Sequence, residues 1–222
     1  MSFQVESAII VFTWLTLLVF YYAGRNYVKS RFLENSSSIH ISDTPVQETK
    51  PGSMWSKIGV LLVFTANIAT VALIFTAAIS PTTSQRLEWA SVSLPQGVYF
   101  TGSVLFVLDA VWGLLAVLFN PNYTPIFRPM KKQFLLATRG PYAVVRHPRY
   151  AAEIWLNVIL FMFTGIWLPL LGVLGWIAIY YQARAEETMM MTLAQDEYGK
   201  YRQRTGMLIP RFTGKKNDFG DD

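Results

Sequence analysis

Residues 154–181 read IWLNVILFMFTGIWLPLLGVLGWIAIYY, 28 positions without one charged side chain. The run is too long for a single simple membrane span, and Gly165 and Pro169 interrupt it. It therefore predicts two helices of about 14 residues folded back as a hairpin. Each leg measures about 21 Å at 1.5 Å per residue. That falls short of the roughly 30 Å hydrocarbon thickness unless polar ends extend it.

Upstream lie three more apolar blocks, Ala8–Ala23, Ile58–Ile79 and Gly97–Phe119. The last two are long enough to cross a bilayer. The first ends at Gly24-Arg25, with no basic residue before it and no small-residue cleavage site, so a retained anchor is expected rather than a signal peptide. Hydrophobic residues make up 52% of the chain and charged ones only 15%, against about a quarter in soluble domains. The expected fold is all-α: a polytopic membrane protein of about five transmembrane helices, the last two a short hairpin, followed by a cytosolic helical extension. Residues 1–120 form a three-helix membrane part with a linker at 25–57. Residues 121–212 form the core around the hairpin, and 213–222 a small, charged tail expected to be disordered.

The basic residues discriminate between counts. With five spans, 18 of the 19 Lys and Arg fall on one side, and only Arg86 lies opposite. Four spans would break that asymmetry. The positive-inside rule then predicts a cytosolic carboxyl terminus and an amino terminus outside. The net charge of +5 reads as membrane orientation, not as nucleic-acid binding. With no cysteine and two histidines, no metal site is expected.

Two polar constellations could carry chemistry. Residues 139–150, RGPYAVVRHPRY, enter the hairpin. Gly140-Pro141 predicts a turn, and Pro148 suits a first helical turn. His147 and Tyr150 would sit at a helix entrance beside free backbone N–H groups that favour anions, or serve as an interfacial anchor. The second constellation leaves the hairpin: Arg184, Glu186, Glu187, then Glu197-Tyr198 and Tyr201, then Pro210. One helix is expected from Trp176 to Arg204. Arg184 and Glu187, three apart, share a face on it, where a surface pair contributes at most about 1 kcal/mol. Within the apolar blocks, Asp109 is expected to face the bundle or a polar cavity, either as a site residue or protonated and bonded to Asn67 or another helix. Glu153 lies close to the first constellation.

Taken together, these motifs resemble the isoprenylcysteine carboxyl methyltransferase family and its phospholipid methyltransferase relatives, over about a third of the chain. The ordered pieces are Gly140 and Tyr142, Arg146-His147-Pro148 with Tyr150, a hairpin, Glu186-Glu187, Glu197-Tyr198 with Tyr201, and Pro210. Gln182 departs from an arginine found in many members, and Ala194-Gln195 from the usual Phe-Gly. The resemblance implies a five-helix membrane enzyme that uses S-adenosylmethionine without a soluble methyltransferase sheet. It places Gly140, Tyr142, Arg146, His147, Pro148, Tyr150 and Glu186 around the cofactor. Arg184, Glu187 and Glu153 become the catalytic candidates, with Glu187 closing the pocket and Arg184 positioning the carboxylate of a prenylated or other lipophilic substrate. An amine acceptor, as in phospholipid methylation, would instead need Glu153 or Glu187 as base. An NADPH-dependent membrane reductase and a non-catalytic relative are the other readings.

Overall fold

The computed structural model describes residues 2–28, 54–120 and 136–211. Most of the expected linker and the whole expected tail lie outside the described residues. Among the described residues the secondary structure is helical, with no strand beyond two isolated backbone bridges. The chain forms α1 (Phe3–Val28), α2 (Met54–Ile79), a short α3 (Pro81–Arg86) and α4 (Gln96–Leu118). Of these, α1, α2 and α4 are long and apolar enough to cross a membrane.

Their apolar side chains mostly face outward. Only 17%, 33% and 22% of the apolar stretches of α1, α2 and α4 are buried. Phe12, Trp55 and Phe100 stand exposed, while Asn67, Glu153 and Asn157 are buried. A water-soluble bundle would show the reverse, so this is the exterior of a membrane protein. The helices alternate in direction. Near one end of the bundle, Gln4 Nε2 on α1 donates to Ala78 O on α2 at 3.4 Å. At the other end, Gly24 of α1 lies against Leu118 of α4.

After α4 the described chain resumes with α5 (Pro141–Val144) and α6 (Pro148–Thr164). α6 begins on Pro148, as expected, and the turn expected at Gly140-Pro141 opens the single-turn α5. The expected hairpin is present. Gly165, at φ 73°, ends α6 in the left-handed region, and its N–H donates to Phe161 O at 2.8 Å. Only glycine serves here, because a Cβ would also lie 2.5 Å from Val92 O. The hairpin tip is tied to the α3–α4 connection. Val92 N–H donates to Gly165 O at 2.8 Å, and Trp167 N–H to Ala90 O at 3.0 Å.

The second leg corrects the expected length. Leu168–Gly175 winds as a 3-10 helix that runs straight into α7 (Trp176–Leu193). A 3-10 helix rises about 2.0 Å per residue, so Leu168 to Tyr181 covers about 25 Å instead of 21 Å. This leg packs on α2 through small residues. A Cβ on Gly175 would sit 2.4 Å from Gly59 O, a close approach of the kind that holds membrane helices together. Phe106 of α4 and Phe163 of α6 stack at 5.2 Å in the core near the hairpin tip.

A second correction concerns the end of the bundle. The helix expected to run through Arg204 breaks at Ala194 (φ −147°, ψ 57°), and α8 (Gln195–Arg204) follows at a new angle. The break buries Tyr198 and brings the Tyr201 hydroxyl to Tyr142 O at 2.6 Å. A straight helix would carry both rings away from α5.

Candidate functional site

The two motif regions meet at the start of α6. From Gly140, itself at φ 60°, the chain makes the α5 turn and then runs extended through Val145 to His147. This strip pairs with the segment after α8. Arg146 N–H donates to Gly206 O at 2.8 Å and His147 N–H to Met207 O at 3.0 Å. Trp112 Nε1 on α4 donates to Pro148 O at 3.1 Å and fixes the base of α6.

Arg146 points inward, to Glu187 on α7. Its Nε donates to Glu187 Oε1 at 2.7 Å, and both side chains are more than nine-tenths buried. Nη1 donates to the carbonyls of Thr205 and Arg202, so the guanidinium also pins the turn after α8. Arg202 Nε lies 3.6 Å from Glu187 Oε2. Burial by itself would raise the Glu187 carboxyl, but His147 and the Arg146 guanidinium beside it outweigh that and hold it at about 2.

The neighbouring Glu186 is held differently. Its Oε1 accepts from the Tyr150 hydroxyl at 2.6 Å and from Gln182 Nε2 at 3.0 Å. Gln182 Oε1 in turn accepts from Ser56 Oγ on α2 at 3.0 Å. His147 lies between the two carboxylates, with Nδ1 3.5 Å from Glu186 and Nε2 3.5 Å from Glu187. Its ring stacks on Tyr150 at 5.8 Å. The buried Nε2 has no nearer partner than Glu187. Tyr142 and Tyr198 complete the walls, and burial raises the Tyr198 and Tyr201 phenols well above their usual range.

The structure thus brings together Tyr142, Arg146, His147, Pro148, Tyr150, Glu186 and Glu187, with Gly140 at the turn leading in. It does not bring Arg184 there. At 100° per residue, Arg184 lies about 60° from Glu187 but about 160° from Glu186 and about 100° from buried Ala183, on the outer side of α7. Its guanidinium is exposed, bonded to the Tyr180 hydroxyl at 3.2 Å and lying over that ring. The partners of Glu187 are Arg146 and Arg202 instead.

Glu153 faces a different neighbourhood. Its Oε1 pairs with Arg149 at 2.5 Å and its Oε2 accepts from Asn67 at 3.3 Å. Asn67 is taken up by Glu153 and Asn157, so it is not the partner expected for Asp109. Asp109 lines a cavity with Glu153 and Arg149.

Three contributors were not assigned to the site from the sequence: Gln182 (noted only as a departure from the family pattern), Arg202 and Thr205. Gln182 lies one helical turn before Glu186, a spacing that already puts both on one face. Arg202 and Thr205 carried no such signal, because their partners lie more than ten residues away along the chain. No protein-family model matches the chain, and no curated protein matches its sequence.

Proposed function

We propose that this chain is an S-adenosylmethionine-dependent methyltransferase of the membrane that acts on a lipophilic acceptor. The observation that supports it is the convergence of Arg146, His147 and Tyr150 with Glu186 and Glu187. These residues come from segments about 40 positions apart and meet in one buried seat. The donor set suits the cofactor in kind. S-adenosylmethionine carries a sulfonium and an ammonium, for which the two carboxylates are partners. When bound, the cofactor supplies an electrophilic methyl group. The chain's own residues supply the positioning that an in-line transfer requires. Tyr150 and Gln182 hold Glu186, Arg146 holds Glu187 and the covering turn, and Tyr198 and Tyr201 keep water out.

The two hairpin legs serve as a fourth and a fifth membrane pass in this reading. Legs of about 25 Å and a tip bonded to residues 90–92 support it. The seat then lies at the end that carries Arg25, Lys57, Arg146 and Arg149, which the positive-inside rule assigns to the cytosol.

The carboxylate-acceptor reading relied on Arg184, and the exposed position of that residue weakens it. A phospholipid-type amine acceptor gains support from Glu153 and Asp109, which line an apolar cavity. Calorimetric titration of the purified protein with S-adenosylmethionine and, separately, NADPH tests the class. Saturable S-adenosylmethionine binding is expected, weakened about tenfold (about 1.4 kcal/mol) in His147→Ala and in Tyr150→Ala. Binding of NADPH alone would point to a reductase, and binding of neither to a non-catalytic protein.

A further inference from the structure

The turn after α8 borders a second cavity, of about 560 Å³, next to the seat. Arginines from three segments reach it: Arg146 before α6, Arg202 on α8 and Arg211 beyond the turn. His147, Tyr150 and Glu186 do not border it. The Arg202 carbonyl accepts from Arg146 Nη1 at 3.2 Å and from Arg211 Nη1 at 3.5 Å, so two like charges share one oxygen. Arg211 Nη1 also donates to Gln203 O at 2.9 Å. The turn itself is tight, since a Cβ on Gly206 would lie 1.8 Å from Ile209 O, and it returns Arg211 to the end of α8.

Guanidiniums remain charged in proteins, and these three meet one carboxylate. That is Glu187, 2.7 Å from Arg146 and 3.6 Å from Arg202. Among the described residues, Arg211 pairs with no acid and no Asp or Glu borders the cavity. Cations gathered this closely repel one another, and an anion between them relieves the repulsion. Gly199 is an independent sign of an occupant. It stands in the middle of α8, where glycine costs helix stability relative to alanine. Gly59 and Gly175 are needed for close packing, but nothing lies within 4 Å of a Cβ built on Gly199. Its bare wall borders the cavity, and glycine is suited to the close approach of a ligand to the backbone.

We infer that this cavity binds a phosphate group, carried by a soluble phosphoester or by the headgroup of a phosphomonoester lipid. Such a group bears about two negative charges at neutral pH, which match the surplus of guanidinium, whereas a single carboxylate would leave part of it unmet. Guanidinium forks also fit phosphate oxygens in geometry. S-adenosylmethionine, with a sulfonium and an ammonium, does not suit three arginines. The site is therefore separate from the cofactor seat and does not depend on methyl transfer.

The test is thermal unfolding of the purified full chain in detergent–lipid micelles, without cofactor, followed by tryptophan fluorescence. With phosphatidylcholine as the lipid, inorganic phosphate should raise Tm saturably, and chloride at equal ionic strength should not. Arg211→Gln should need at least about tenfold more phosphate for the same shift. Gly199→Phe, which places a ring in open space at the cavity wall, should abolish the shift. Arg204→Gln removes the same charge from α8 outside the cavity and should respond like the parent. Phosphatidic acid in place of phosphatidylcholine separates the sources. A raised Tm that is lost in both cavity variants and that phosphate no longer increases assigns the site to a lipid headgroup. A response that still requires added phosphate assigns it to a soluble phosphoester. No response to phosphate or phosphatidic acid, an equal response to chloride, or an unchanged response in both cavity variants would overturn the inference. If one cavity variant does not fold, the other decides.

Discussion

The contact between Arg146 and Glu187 is the joint between the two halves of the site, and its removal has a calculable cost. Both side chains are more than nine-tenths buried and meet at 2.7 Å. Truncating one partner leaves the other charge buried, which typically costs about 3–5 kcal/mol. Arg146 retains the Thr205 and Arg202 carbonyls as acceptors, so Glu187→Ala belongs at the lower end, about 3 kcal/mol. For a chain of this length that corresponds to about 6–12 °C in Tm. Arg146→Ala should cost at least as much, because Glu187 keeps only the longer contacts to Arg202 and His147. The double variant Arg146→Ala/Glu187→Ala leaves no orphaned charge and should cost less than the sum of the two single variants, giving a coupling of about 2 kcal/mol in a double-mutant cycle. Thermal unfolding in detergent, followed by tryptophan fluorescence, reads all four states. Strict additivity, or single variants within about 2 °C of the parent, would mean that the pair does not join the two halves.

Other consequences are measurable separately. Glu187 is held at about 2 against an ordinary 4.5, so its ionised form stabilises the fold fully above pH 4.5, and that contribution is lost as pH falls toward 2. Glu187→Gln should lack this acid limb, and parallel acid unfolding of both proteins would contradict the assignment. Gly165→Ala forces a left-handed residue with a Cβ against Val92 O and should cost at least about 1–3 kcal/mol, visible as a lower Tm. Arg184→Ala should leave S-adenosylmethionine affinity within about twofold, since the side chain lies outside the seat; a tenfold loss would return it to the site. For the proposed topology, Arg86→Cys should react with an impermeant maleimide on intact cells and Gln203→Cys should not. The reverse result would invert the orientation.

Sequence periodicity and turn chemistry were sufficient where one local cause dominates. The apolar blocks mark α1, α2 and α4 because hydrocarbon solvates them whatever their neighbours. Gly165 marks the hairpin turn, Gly140-Pro141 the turn at α5 and Pro148 the start of α6, because the backbone geometry is set within two or three residues. The order of the motif pieces named the side chains that the fold then gathers at the start of α6.

Other features depended on partners distant in the chain. Arg184 and Glu187 have a helical spacing that permits a pair. Which of them faces inward is decided by α2 and α6, which bury Ala183 and Gln182 and leave Arg184 outside. The break at Ala194 has no glycine or proline to announce it, and it exists because Tyr198 and Tyr201 gain burial and a hydrogen bond against α5. The longer second leg arises because Pro169 and close packing on Gly59 favour 3-10 winding. Residue identity alone thus determined where the chain is apolar, where it turns and which chemical groups it carries. Only the tertiary structure decided which charges meet, because an ion pair buried between Arg146 and Glu187 is a property of two surfaces in contact and of neither segment alone.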